Sequence, residues 1–328
     1  MGVTECLEQL LRRRPDLLPG VSVESVTLIR PSDGSSGDVW IALSEDRPVA
    51  IVRRCEIRRA AKRLLWAHTL AECVDPVGGR RPLPQLLGAE MSWWRTRRVG
   101  GPVFVEEWLE GNSLASVPES ERVGHASALA QSLGALHAVR APAWGWPVGR
   151  PRLDFRPRLD RMIGHRLAFL GDHADLIAPL TPARLAEWTR AQRGAMPPHR
   201  DFALVHNHVA EDDLLIHPTG QVMLIDIGSL QYGPPEPDLV ASLHALAIPE
   251  GDPEPLLGPY LAHRSAEEAE AIRSRLPLFM VLRDLSKLRS LVRKGSADTH
   301  AAEMAAIRAR VVRAVTERFP LRSGERSS

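Results

Sequence analysis

Apolar residues recur along this chain with two different periods, and the change of period divides it. Cys6, Leu7, Leu10 and Leu11 fall at helical spacing and the pattern stops near Pro15, which predicts a small amphipathic helix within residues 1–18. The next apolar runs are short and rich in β-branched residues: 21–29, 39–43 and 49–53. Turn-forming residues separate them at 31–38 and 44–48, so three antiparallel strands are expected. Ile57, Ala60, Ala61, Leu64, Leu65, Ala67 and Leu70 then form a helical stripe over residues 56–73. Stretches at 82–88, 91–95 and 103–111 complete a first, mixed lobe over residues 1–111.

From residue 112 the period is helical, defining a second lobe that runs to residue 320, with 321–328 as a flexible tail. Helices are expected at 126–137, 158–172, 182–195 and 239–247, with three or four more between 255 and 319. Asp238 has the residue type and place of an N-cap for the helix at 239. One stretch breaks the helical run. Residues 203–216 and 222–228 read as strand, polar loop, strand, tight turn and strand. This brings Asp213 and Asp226 to the ends of neighbouring strands, where two carboxylates could share a divalent cation.

These residues carry a resemblance. Val205-His206-Asn207-His208, four intervening residues, Asp213-Leu214-Leu215-Ile216, then Ile225-Asp226-Ile227-Gly228 and Asp238-Leu239-Val240 resemble the catalytic segment of the aminoglycoside phosphotransferase family, a branch of the protein-kinase-like fold. That family writes V-H-G-D-x-x-x-x-N-L-L-V, then I-D-W/F-G, then a D-L-A helix start. The frame matches without a gap, but the family's catalytic Asp falls on His208 and its metal-binding Asn on Asp213. Leu133-Gly134-Ala135-Leu136-His137 is similar to the family's L-x-x-L-H, and Ile51-Val52-Arg53-Arg54 to its V-L-R-R.

The resemblance implies an α+β, two-lobed fold: a five-stranded antiparallel sheet in the N-terminal lobe, then a mainly helical lobe, binding ATP and Mg²⁺. It implies that Asp213 and Asp226 hold the metal and that Arg53 meets the nucleotide phosphates. The Gly- and Ser-rich loop containing Ser35, Ser36 and Gly37 would cover those phosphates with backbone N–H groups. The carbonyl of Glu107 and the N–H of Leu109 would face adenine. The helix over 56–73 should supply a Glu to pair with Arg53, and the candidate it offers is Glu56, at its start. Arg54, on the opposite face of the strand, reads as a solvated side chain. The acceptor would be a hydroxyl of a small molecule.

Charge and composition narrow this picture. Lys and Arg number 42 against 40 Asp and Glu, so no global field argues for nucleic acid or an anionic membrane. Arg53, Arg54, Arg58, Arg59, Lys62 and Arg63 make a local basic run. Cys6, Cys55 and Cys73 are an odd count without zinc-type spacing, which reads as reduced thiols used in packing. No apolar run reaches the roughly 18 to 20 residues of a membrane helix, and the first residues lack a signal-peptide pattern, so a cytoplasmic protein is expected.

Three functional readings remain open on these residues. In the first, His208 accepts the acceptor's proton in place of an Asp and the chain is an atypical phosphotransferase. Glu211 or Asp212 could take that role only if the loop bends differently. In the second, the change to His208 marks a pseudokinase that binds nucleotide without transfer. In the third, the chain binds a partner protein as a scaffold. A transition-metal site on His206, His208 and Asp213 is disfavoured, because His206 occupies a structural loop position in the family frame.

Overall fold

The computed structural model describes residues 2–31, 38–147, 150–196, 198, 201–249, 252–293 and 300–318. In chain order the elements are α1 (Val3–Arg13), β1 (Val26–Ile29), β2 (Val39–Ser44), β3 (Arg47–Arg54), α2 (Arg58–Ala71), β4 (Leu86–Glu90), α3 (Trp93–Thr96), β5 (Val103–Glu107) and β6 (Asn112–Ser113). Then come α4 (Glu119–Arg122), α5 (Ala126–Ala138), β7 (Arg140–Ala141), α6 (Arg156–Gly171), α7 (Pro182–Ala195), β8 (Phe202–Val205), β9 (Leu214–Ile216) and β10 (Val222–Leu224). The chain continues through β11 (Gln231–Gly233), α8 (Glu236–Ala245), α9 (Glu254–Leu261), α10 (Ala266–Arg293) and α11 (Ala301–Arg318). Among the described residues no helix is long and apolar enough to cross a membrane.

Contacts divide the chain into two units. The first comprises residues 1–139, 204–231 and 245–247, so residues 204–228 pack with the N-terminal elements. Its main sheet has five strands in the order β1-β2-β3-β5-β4, all antiparallel. Alternation along β2 and β3 sends Trp40, Ala42, Ala50 and Val52 inward, where they meet Val103 and Val105 of β5. The apolar stripe of α1, Leu7, Leu10 and Leu11, closes that core, and the indole N–H of Trp40 donates to Thr4 at 3.0 Å. A second, small sheet runs β10-β9-β6, with Val222 opposite Ile216 and Asn112 on the other side of Ile216. The hydroxyl of Ser132 on α5 donates to the carbonyl of Val222 and ties the helix beneath that hairpin.

The second unit comprises residues 140–203, 232–244 and 248–328 and is built mainly of helices. Apolar positions along α10, from Ile272 and Leu276 to Leu288 and Leu291, are buried at helical spacing. Two carboxylates in its interior have cationic partners: Glu236 with Arg275 at 2.6 Å, and Asp284 with Arg310 at 2.6 Å.

Three expectations need correction. The run at 21–29 is not one strand: residues 23–25 form a 3₁₀ turn and only Val26–Ile29 pair. Ser25 donates both its N–H and its hydroxyl to the carbonyl of Ser22, a local bond that competes with the ladder. Asp238 is not an N-cap, because α8 begins at Glu236 and Asp238 lies in its first turn, buried. Cys73 is exposed rather than packed, whereas Cys6 is buried and Cys55 half-buried; all three are free thiols.

Candidate functional site

The site in the first unit starts from the end of β3. Neighbouring residues of a strand face opposite sides, so Arg53 and Arg54 part company. The Arg53 guanidinium lies between two carboxylates: Nη1 is 3.2 Å from Asp226 and Nε is 3.6 Å from Glu106. Glu106 sits on β5 opposite Ile51, only 5 % exposed, and its Oε1 is 3.0 Å from Nε2 of His68 on α2. Asp226, Arg53, Glu106 and His68 therefore form one chain of polar contacts running from the solvent edge to the interior. Burial alone would push the Glu106 carboxyl up. The hydrogen bond from His68 and the charge of Arg53 outweigh it and hold Glu106 below the usual carboxylate range.

The second half of the site is the loop between β8 and β9. Asn207 has φ +63°, a left-handed conformation that Asn tolerates better than most residues, at the position where the resembling frame has Gly. That reversal turns His206 inward and leaves His208 outward. The two ring nitrogens of His206 lie 2.9 Å from the carbonyl of His208 and 2.8 Å from that of Ile225, so the buried ring braces the loop against the segment before Asp226. His208 has 68 % of its side chain exposed, and its Nδ1 is 3.0 Å from Oδ2 of Asp213.

Asp213 and Asp226 are neighbours through the backbone: the N–H of Ile225 donates to the carbonyl of Asp213 at 2.9 Å. Burial raises the Asp213 carboxyl above its ordinary value; the His206 and His208 rings pull it down, and the negative charge of Asp226 adds to the rise. Asp226 is half exposed and, like Asn207, left-handed at φ +56°. Among the described residues no group of three or more His, Cys, Asp and Glu side chains could by itself hold a metal ion. Asp213 and Asp226 offer two carboxylates, hard oxygen donors of the kind a Mg²⁺ would take.

Other expected residues fall elsewhere. Ser35, Ser36 and Gly37 lie outside the described residues. Glu107 ends β5, with its N–H donating to the carbonyl of Gln85 and its side chain paired with Arg80; Leu109, two residues on, is buried. Glu56 does not reach Arg53: it pairs with Arg54 at 2.8 Å. Arg54 is not solvated but 13 % exposed, with Nε donating to Asp38 at 2.9 Å and Nη1 to the carbonyl of Val99 at 3.0 Å. Glu211 is paired with Arg122 at 3.1 Å, in a 3₁₀ turn that also contains Asp213.

Sequence reasoning missed Glu106 and His68. Both left a trace: Glu106 extends the apolar run Val103-Phe104-Val105 with a carboxylate, and His68 falls on the stripe of α2 shared by Leu64 and Ala71. Neither trace names a partner.

Comparison with known proteins adds three findings. A family model described as the phosphotransferase enzyme family matches residues 27–275. No curated protein sequence matches the chain. Solved structures share its fold: a thermostable mutant of aminoglycoside phosphotransferase APH(4)-Ia in the apo form, with TM-score 0.60 at 15 % identity, covers 96 % of this chain and 100 % of that one. A further variant of that protein, in ternary complex with ADP and hygromycin B, matches with TM-score 0.60 at 16 % identity, over 96 % of this chain and 99 % of that one. The GDP complex of wild-type aminoglycoside 2'-phosphotransferase-IIIa matches with TM-score 0.54 at 16 % identity, over 96 % and 99 % respectively. At such identities the likeness carries the fold: an antiparallel N-terminal sheet followed by a mostly helical C-terminal part, as in protein kinases.

Proposed function

Since the chain belongs to the phosphotransferase enzyme family, we propose that it moves the terminal phosphoryl group of ATP to a hydroxyl of a small molecule. The observation that carries this reading is Arg53, placed 3.2 Å from Asp226 and 3.6 Å from Glu106. A guanidinium fixed between two carboxylates has its charge and direction set before any ligand arrives, which is what holding a phosphate tail requires. Related structures hold ADP or GDP, and hygromycin B sits in one of them, consistent with nucleotide and hydroxylated acceptor as the two substrates.

Asp213 and Asp226 are the residues that would hold Mg²⁺, which when bound would neutralise phosphate oxygens. His208 supplies the proton acceptor. Its Nδ1 donates to Oδ2 of Asp213, which fixes the tautomer and leaves Nε2 with a free lone pair toward solvent. The carboxylate also stabilises the imidazolium that forms when the acceptor hydroxyl gives up its proton. Oδ1 of Asp213 stays available to a metal. Phosphoryl transfer asks little of a base, so an imidazole can stand where an Asp is usual.

A second reading rests on the same contact. If the bond to His208 keeps Asp213 from the metal, the chain holds nucleotide without transferring from it, as a pseudokinase. Isothermal titration with ATP and Mg²⁺, followed by a transfer assay on a panel of aminoglycosides and other polyhydroxylated acceptors, separates these outcomes. Asp226→Ala is expected to lower turnover at least about 100-fold, and His208→Ala by roughly 100-fold, with nucleotide affinity nearly kept in the latter. Failure of ATP to bind with Mg²⁺ sinks both readings; binding without turnover under any acceptor leaves the pseudokinase.

A further inference from the structure

A second concentration of charge lies in the other unit, between α6 and α10. A cavity of about 370 Å³ is lined by His165, Arg166, Ser286, Arg289, Ser290 and Arg293. Every one of these side chains can donate a hydrogen bond and none can carry negative charge. Ser286, Arg289, Ser290 and Arg293 stand at i, i+3, i+4 and i+7, so α10 presents them on one face, opposite His165 and Arg166 of α6.

Arg166 is the fixed member. Its Nε donates to the carbonyl of Leu282 at 2.7 Å, Nη1 to that of Met162 at 2.7 Å, and Nη2 to the hydroxyl of Ser286 at 2.5 Å. All three acceptors are neutral, and two of its five N–H groups remain for another partner. Among the described residues no carboxylate pairs with Arg166, Arg289 or Arg293, although carboxylates meet Arg275 and Arg310 elsewhere in this unit. Burial pushes the Arg166 guanidinium below its ordinary value, and the charges of Arg289 and Arg158 push it further. Three like charges gather at this cavity wall, Arg166 and Arg289 half-buried and Arg293 exposed, with no carboxylate among the described residues to balance them, which costs stability that a plain helix contact would not require.

We propose that this cavity is a binding site for a small phosphate-bearing anion, with Arg166 as its preset anchor and Arg289 and Arg293 closing on it from α10. Guanidinium forks match the oxygens of a tetrahedral oxyanion in pairs, and several converging forks favour a dianion over a lone carboxylate. The cavity lies within the size range of small-molecule sites and exceeds what one inorganic phosphate fills, which favours a phosphate ester or a pyrophosphate over the free ion. None of its residues belongs to the Arg53 and Asp226 site, so the inference holds whether or not that site transfers phosphate.

The test uses the full chain without divalent ions and calorimetric titration with pyrophosphate, inorganic phosphate and glucose 6-phosphate at matched ionic strength. Each probe is run on the wild type and on Arg289→Met, Arg293→Met, Arg289→Lys and Arg53→Met. Saturable binding by at least one probe is expected, weakened about tenfold or more by either Met substitution on α10, partly restored in Arg289→Lys and unmoved by Arg53→Met. Stronger binding of the ester than of the free ion identifies a phosphorylated metabolite as the source; equal binding identifies the free anion. Arg289 is half-buried and Arg293 exposed, so their variants are expected to fold, which circular dichroism checks. No saturation up to about 10 mM of any probe, or affinity that follows Arg53 instead of Arg289, overturns the proposal.

Discussion

Glu106 is where the charge balance of the first site turns. It is nearly enclosed, touches Arg53 on one side and His68 on the other, and stays ionised because those partners outweigh its desolvation. Because its folded-state value lies below the ordinary 4.5, its contribution to stability is complete above that pH and is lost as pH falls through the lower folded value. The melting temperature of the wild type should therefore fall as pH drops below 4.5, and Glu106→Gln should flatten that dependence. Gln still reaches His68 but leaves Arg53 with one carboxylate. Arg53 keeps Asp226 and some solvent, so the expected cost at neutral pH is about 2 kcal/mol, less than for a fully buried broken pair. An unchanged acid limb in the variant would remove Glu106 from this role.

At the scale of elements, the hairpin β9–β10 carries Asp213, and its seating depends on Gly111. Gly111 has φ +148°, and a Cβ there would lie 2.4 Å from the carbonyl oxygen of Ile216 and 2.6 Å from Cδ2 of Leu215. β6 begins one residue later and pairs with that same Ile216, so only a residue without a side chain lets the two backbones approach. Gly111→Ala is expected to cost about 2 kcal/mol or more and to weaken nucleotide binding, since the strand that must yield leads back to Asp213. Gly220, in the turn of the same hairpin, is also left-handed at φ +84° but has open space around it. Gly220→Asn should therefore cost under about 1 kcal/mol. Denaturant midpoints for the two variants check the contrast; equal losses would mean that backbone conformation, not the close approach, governs Gly111.

For the whole molecule, a ligand that binds only the folded state adds stability set by its concentration relative to its affinity, about 2.7 kcal/mol at a hundredfold excess over Kd. ATP with Mg²⁺ should raise the melting temperature accordingly, and Asp226→Ala should abolish the rise. Amide exchange should slow in β3, β5 and the loop before β9 when nucleotide is added, because Arg53, Glu106 and His208 reside there. Protection that appears without Mg²⁺ and survives in Asp226→Ala would place the nucleotide elsewhere.

What could be read along the chain is what depends on neighbours in sequence. Period, turn residues and an ungapped motif frame identified β2, β3 and β5 of the main sheet, the helices α2, α5, α6 and α7, and the hairpin that sets Asp213 beside Asp226. Even the left-handed Asn207 lies where that frame expects Gly. Partner choice was beyond that reach. Arg53 faces Glu106, 53 positions away, rather than Glu56 three positions away, because pairing of β3 with β5 aligns their faces while Glu56 lies past the strand end beside Arg54. His68 meets Glu106 only through the packing of α2 on the sheet, and Arg166 meets Ser286 only where α6 crosses α10. A one-dimensional pattern tells which side of a helix or strand is buried. Which charge waits on the other side of that surface is settled by how the elements pack, and both sites in this protein are made of such meetings.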